Sequence, residues 1–264
     1  MAHAQRSGIL NYLLEGPEGA PVVTLSNSLS TDCSMWDEQA PLLACRYRLL
    51  RYDTRGHGRS EVTEPPYTME QLADDVAGLL DRLGIARTHF VGLSLGGMTA
   101  QMLALRRPDL VSSLCLVATT CLPPYHGRQV WDERVASIRA TGRFDHMLAP
   151  MMERWLSMKF RRENPQRYGE IREMVLRTPP DGYIGCSLAI AGFDVRDRLP
   201  EISAPTLVIA GEEDPGTTVE DAQMIQAGIR GAGLKVVPGA RHLLNVDRPA
   251  VFTPLLTDWL ERNC

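Results

Sequence analysis

Three residues far apart in the chain, Ser94, Asp214 and His242, have the types and the order needed for nucleophilic catalysis. Ser94 sits in Gly92-Leu93-Ser94-Leu95-Gly96, directly after the apolar run Thr88 to Val91. Gly-x-Ser-x-Gly between a strand and a helix makes a tight, strained turn that lifts the serine hydroxyl above a sheet. A side chain at either glycine would collide with neighbouring backbone in so sharp a turn. Taken alone, the pentapeptide fits an ordinary glycine-rich turn equally well. Its meaning comes from the acid and the base that follow it.

A serine hydroxyl is a poor nucleophile at neutral pH and needs a base to accept its proton as it attacks. That base must be held in one tautomer by an acceptor. The chain has six histidines. His3 lies near the terminus, His57 sits in a Gly-His-Gly turn suited to a structural hydrogen bond, and His89 opens the strand at its wrong end. His126 and His146 fall in a segment of different character. His242 remains, in a loop after the last strand-like run and before the last helix, a place that returns to the edge carrying Ser94. For the acid, Asp214 in Gly211-Glu212-Glu213-Asp214-Pro215 follows the strand-like run Leu207 to Ala210. Glu212 and Glu213 are its rivals, but a loop position fixed by the following proline is better placed. Negative charge develops on the substrate carbonyl oxygen, so backbone donors must already point there. The Leu95 amide supplies one, and the loop after Val22 to Ser26 the other, through Leu29. Nothing in this set calls for a metal or an organic cofactor.

Strand-like and helix-like runs alternate through the first half. Ile9 to Leu14, Val22 to Ser26, Tyr47 to Tyr52, Thr88 to Val91 and Leu114 to Ala118 read as strands. Thr68 and Gln71 form a capping box for a helix to Leu83, and Leu72, Val76, Leu79, Leu80 and Leu83 mark its buried stripe. A second helix runs from Gly96 to Arg107 and stops at Pro108. Such alternation gives an α/β fold whose mostly parallel sheet has helices on both faces. From Cys121 to about Val195 the β-branched runs vanish, and Val130 to Ala140 and Met147 to Met158 show helical spacing. Alternation resumes with strands at Thr206 to Ala210 and Leu234 to Val237, a helix through Ile225, and a last helix from Pro249 to Arg262. The organisation expected is a sheet core over residues 1–120 and 197–264 with a helical cap over 121–196, set over the sheet edge where parallel sheets place their ligands.

With 264 residues the chain can bury a large core, and 44% hydrophobic and 23% charged residues are ordinary for a globular protein. A formal charge of -4 argues against nucleic acid or an anionic membrane as partner. No apolar run reaches the length of a membrane span, and Met1 to Ser7 lacks a signal-peptide pattern. Six scattered cysteines without C-x-x-C spacing fit idle thiols in a reducing cytoplasm better than a disulfide framework or a zinc site. No internal repeat is present, and the sequence leaves the oligomeric state open.

The stretches Tyr52-Asp53-Thr54-Arg55-Gly56-His57-Gly58-Arg59-Ser60, Val91 to Met98, Ala210 to Pro215 and the His242 loop fall in the order Ser, Asp, His. In these the chain resembles the α/β-hydrolase superfamily from Ile9 to Leu260. Within it, Ser26-Asn27-Ser28-Leu29 followed by Met35-Trp36-Asp37 is similar to 3-oxoadipate enol-lactonases, as are Arg154-Trp155, Gly182-Tyr183 and Phe193-Asp194. Ser30, where the lactonase pattern has Gly, and Leu156-Ser157 depart from it. The resemblance implies hydrolysis of 3-oxoadipate enol-lactone, a β-ketoadipate-pathway step, through an acyl-enzyme on Ser94. Such a substrate carries a free carboxylate. The arginines of the central segment, Arg128, Arg134, Arg139, Arg143 and Arg154, are candidates to meet it, Arg134 and Arg154 first. Trp36, Trp131 and Trp155 are candidates for the pocket wall, cap core being the equal alternative for the last two. A general carboxylesterase or a C–C bond hydrolase would use the same three residues, and a binding-only relative could retain them. An elbow serine disfavours the dehalogenase and epoxide hydrolase chemistries, which use Asp there.

Overall fold

The computed structural model describes residues 5–124, 127–143 and 145–264. His3 and His126, set aside above, lie outside the described residues.

Among the described residues eight strands form one sheet: β1 (Gln5–Ser7), β2 (Leu10–Glu15), β3 (Val22–Ser26), β4 (Arg48–Tyr52), β5 (Thr88–Leu93), β6 (Val111–Val117), β7 (Thr206–Gly211) and β8 (Gly233–Val237). Their order is β1-β2-β4-β3-β5-β6-β7-β8. Only β2 runs against the others; β4 through β8 are joined by parallel pairing. The short edge strand β1 carries too little apolar pattern to be read from sequence. Every residue of β5 and β7 is buried, as befits central strands covered on both faces. Ser26 pairs with Gly92, Leu93 with Val117, and Val117 with Ile209, so these strands end on one edge. The loops that follow β3, β5, β7 and β8 therefore bring Leu29, Ser94, Asp214 and His242 to the same rim.

Helices α1 (Ala40–Ala44), α2 (Met69–Arg82) and α3 (Leu95–Arg106) lie between the early strands. The Thr68 hydroxyl accepts from the Gln71 amide at 3.1 Å, and the expected stripe Leu72, Val76, Leu79 and Leu80 is buried. Among the described residues five α-helices separate β6 from β7: α4 (Arg128–Thr141), α5 (Leu148–Trp155), α6 (Met158–Glu163), α7 (Pro165–Leu176) and α8 (Pro180–Ala191). Helices α9 (Val219–Gly228), α10 (Leu244–Asp247) and α11 (Pro249–Asn263) complete the chain.

The central segment differs from its sequence reading in two ways. The expected helix from Met147 to Met158 is broken at Leu156, where the backbone is extended. Ser157 leaves the helix because its hydroxyl caps α6 through the Phe160 amide at 3.1 Å and also donates to Asp247 Oδ1 at 2.7 Å. Helices α7 and α8 were not expected from periodicity. Each opens on a proline, which pre-sets the first turn. α8 is buried nearly all round, so it shows no amphipathic stripe to read. It packs so closely that a Cβ on Gly182 would fall on the Gly56 carbonyl of the Arg55-Gly56-His57-Gly58 turn. At the stem of the insertion the Val195 amide donates to the Cys121 carbonyl at 2.9 Å, tying its two ends together.

Candidate active site

The elbow owes its shape to contacts on three sides. Ser94 has φ 57° and ψ −114°, a left-handed backbone that a non-glycine residue holds only under constraint. Its amide donates to Val117 O at 2.9 Å, and its carbonyl accepts from Thr119 Oγ1 at 2.8 Å and from Met98 N at 3.0 Å. A Cβ on Gly92 would strike the Gly96 carbonyl, and one on Gly96 would strike that of Ser26. Both glycines are thus fixed by close approach of backbone.

The loop after β3 is braced from behind. Gly96 N donates to Asn27 O at 3.0 Å, Asn27 Nδ2 donates to Tyr52 O at 2.7 Å, and Trp36 Nε1 donates to Asn27 Oδ1 at 3.0 Å. Trp36 is fully buried, 6.3 Å from the Phe252 ring, and does not line the cleft. Its role as pocket wall is therefore corrected: it anchors the loop that presents Leu29. Asp53 fastens the same loop to the turn after β4, accepting from Cys33 N at 2.8 Å and Arg59 N at 2.9 Å.

His242 Nδ1 and Asp214 Oδ2 are 2.7 Å apart, with the Asp214 side chain wholly shielded from solvent. Oδ1 of Asp214 accepts from Gly216 N at 2.8 Å and Thr217 N at 3.2 Å, and Oδ2 from Thr217 Oγ1 at 2.7 Å. Burial pushes the Asp214 carboxyl up, but the facing His242 and these donors outweigh it and hold its pKa below the usual carboxylate value. Glu213 points elsewhere, toward Arg241 at 3.7 Å, with half its side chain exposed. A buried carboxylate with Nδ1 as its partner leaves Nε2 as the atom able to take a proton.

Ser94 and His242 line one narrow cleft of about 40 Å³, together with Ser28, Leu29 and Thr217 from the core. Among the described residues no hydrogen bond joins Ser94 Oγ to His242. Such pairs commonly tighten only when substrate is bound. The far wall comes from the helices between β6 and β7: Trp131, Arg134, Met151, Arg154, Trp155 and Tyr183. The Trp155 ring stacks on His242 at 6.2 Å, and Trp155 O accepts from Leu243 N at 3.0 Å. The Arg134 guanidinium lies 4.7 Å from the centre of the Trp131 ring. Two of the five candidate arginines thus reach the cleft. Arg128 and Arg143 instead pair at the surface with Asp132 and Asp145, and Arg139 is exposed. A larger hollow, about 750 Å³, opens elsewhere beside Asp53, where Arg51 pairs with Glu15 and Asp37.

A family model described as the α/β-hydrolase fold matches residues 21–249. The chain belongs to that family. It is 36% identical over 252 residues to a 3-oxoadipate enol-lactonase of Acinetobacter baylyi, covering 96% of this chain and 93% of that one. The crystal structure of an enol-lactonase from Burkholderia xenovorans superposes with a TM-score of 0.93 at 35% identity, over 98% of this chain and 100% of the other. A thermophilic esterase from Thermogutta terrifontis superposes with a TM-score of 0.88 at 28% identity, covering 99% and 98%. This α/β-hydrolase is accordingly a hydrolytic enzyme. Among the described residues no helix is long and apolar enough to cross a membrane.

Sequence reasoning missed the hydrolase's supporting residues. Thr217 donates to Asp214, and its hydroxyl also lies 3.2 Å from His242 Nδ1. Asp247 Oδ2 accepts from Arg241 N at 3.0 Å while Oδ1 accepts from Ser157, so one buried carboxylate joins the His242 loop to the break after α5. Thr217, three residues past Asp214, could have been suspected from the Asx-turn chemistry of Asp214-Pro215-Gly216. The Asp247–Ser157 link, ninety residues long, left no local signal.

Proposed function

We propose that this enzyme hydrolyses a small anionic lactone, 3-oxoadipate enol-lactone to 3-oxoadipate, in the β-ketoadipate pathway of aromatic catabolism. The observation that carries this reading is that Ser94, His242, Arg134 and Arg154 all line one cleft. In the proposed cycle His242 Nε2 accepts the Ser94 proton as Oγ attacks the lactone carbonyl, and Asp214 stabilises the imidazolium. The amides of Leu29 and Leu95 receive the oxyanion. The ring C–O bond then breaks; an enolate leaves far more readily than an alkoxide, so it asks little of the imidazolium as acid. Tautomerisation of the freed enol to the ketone disfavours reclosure. His242 next activates water, and the acyl-enzyme is released as the diacid. Arg134 and Arg154 would hold the substrate carboxylate, and Trp131 and Trp155 its apolar ring face. The cap would span 121–196, its stem closed by the Cys121–Val195 hydrogen bond. All six cysteines are free thiols, in keeping with a cytoplasmic setting.

The test is ring opening followed by loss of the conjugated absorbance. Wild-type enzyme should turn the lactone over, and Ser94→Ala should lose on the order of a thousandfold or more while remaining folded. A Ser94→Ala enzyme retaining about a tenth of wild-type activity would remove Ser94 as nucleophile. A broad carboxylesterase is the second reading, favoured by the structural likeness to the Thermogutta esterase. Neutral esters turning over as well as the anionic lactone would decide for it.

A further inference from the structure

Ser28 carries a hydroxyl for which the protein provides no use. The residue is 1% exposed, and its Oγ has no hydrogen-bond partner among the described residues. Its backbone, by contrast, is fully engaged. The amide meets Met35 Sδ at 3.4 Å, and the carbonyl accepts from Thr31 N at 3.3 Å and Thr31 Oγ1 at 2.8 Å. The side chain is therefore held in place by groups that do not satisfy it. Burying a hydroxyl without a partner costs folding free energy, and native structures keep few such groups without a reason. Ser30 and Ser187 also bury unpartnered hydroxyls, but neither lines the cleft. Ser28 does, beside Leu29, Ser94 and His242.

We propose that Ser28 Oγ contacts the substrate, donating a hydrogen bond to the acyl oxygen as it becomes an oxyanion, alongside the amides of Leu29 and Leu95. The proton stays on Ser28 throughout; the hydroxyl stabilises charge and transfers nothing. A neutral donor already desolvated in the wall of the cleft needs little reorganisation when the charge forms, which is where such a donor contributes most. The acyl oxygen is common to every ester or lactone the cleft can take. The contact should therefore act on all substrates, unlike the arginines, which meet only an anionic one. This rests on the reading of Ser94 as nucleophile.

The experiment compares wild type, Ser28→Ala and Ser28→Gly on the enol-lactone and on p-nitrophenyl acetate, with rates counted per active site by fluorophosphonate titration. Thermal midpoints are measured alongside. Both variants should lose roughly tenfold or more in kcat on both substrates, with KM little changed. The Ser28→Ala midpoint should be equal to or above wild type, because the lost hydroxyl had no partner among the described residues, whereas Ser28→Gly should fall slightly through its freer unfolded chain. Titration counts only competent sites, so partial misfolding does not mimic the effect. Wild-type kcat in the variants, or a loss confined to the lactone, would overturn the proposal. Failure of the wild type to be titrated would instead sink the nucleophile reading on which it rests.

Discussion

Asp214 and Glu213 are neighbours in sequence, yet the structure gives them opposite environments: one is sealed under His242, the other half in solvent. Asp214→Asn should lower kcat by roughly four orders of magnitude, since an amide facing Nδ1 favours the wrong tautomer. Glu213→Gln should stay within about twofold of wild type. Steady-state rates on an aryl ester decide it, and a damaging Glu213→Gln beside a mild Asp214→Asn would reverse the assignment. Thr217→Val removes a donor to Asp214 Oδ2 while leaving the His242–Asp214 bond, so its loss should fall between these two. The candidate nucleophile, acid and base were legible in the sequence because each follows a strand-like run and carries a local turn signal. Thr217 and Asp247 were not, since what they touch is set by how loops meet in space.

At the scale of elements, the loop between β3 and α1 shows what a single departure from the lactonase pattern does. Ser30 stands with φ 62° in the left-handed region, fully buried, its hydroxyl without a partner among the described residues. That backbone is the reason glycine suits the position. A non-glycine residue there costs about 1–2 kcal/mol, and an unpartnered hydroxyl adds to it, whereas glycine loses some of the gain to its freer unfolded chain. Ser30→Gly should therefore raise stability by about 1 kcal/mol, or about 2–4 °C in midpoint. A midpoint that drops would show that Ser30 has an unseen favourable contact. The strands and α2 were readable because period and caps agree. The central helices were read only in part: α8 is buried nearly all round and shows no stripe, and the α5–α6 break depends on Asp247 drawing Ser157 out of the helix.

For the whole molecule, the turn after β4 and α8 meet at His57. The residue is buried, its Nδ1 lies 3.1 Å from Arg55 O, its Nε2 has no partner among the described residues, and Cys186 of α8 lies 3.9 Å away. The structural hydrogen bond expected from the Gly-His-Gly turn is thus present, and it comes with a pH liability. Burial lowers the His57 pKa from 6.5 to about 4, with the Arg55 carbonyl opposing only part of that shift. The sign follows from proton binding. Between about pH 6.5 and 4 the unfolded chain takes up a proton that the folded protein refuses, so stability is full above this window and drains away as pH falls through it. A gap of this size corresponds to roughly 3 kcal/mol. Asp53 and Asp75, whose carboxyls burial raises, act in the opposite sense and are lost as stabilisers on going up in pH. Only a comparison of variants isolates the histidine. Denaturant unfolding at pH 7 and pH 4.5 should show a smaller acid loss for His57→Gln than for wild type, even though the variant starts less stable at pH 7. Equal acid losses in the two proteins would mean that the fold does not hold His57 neutral below its ordinary pKa.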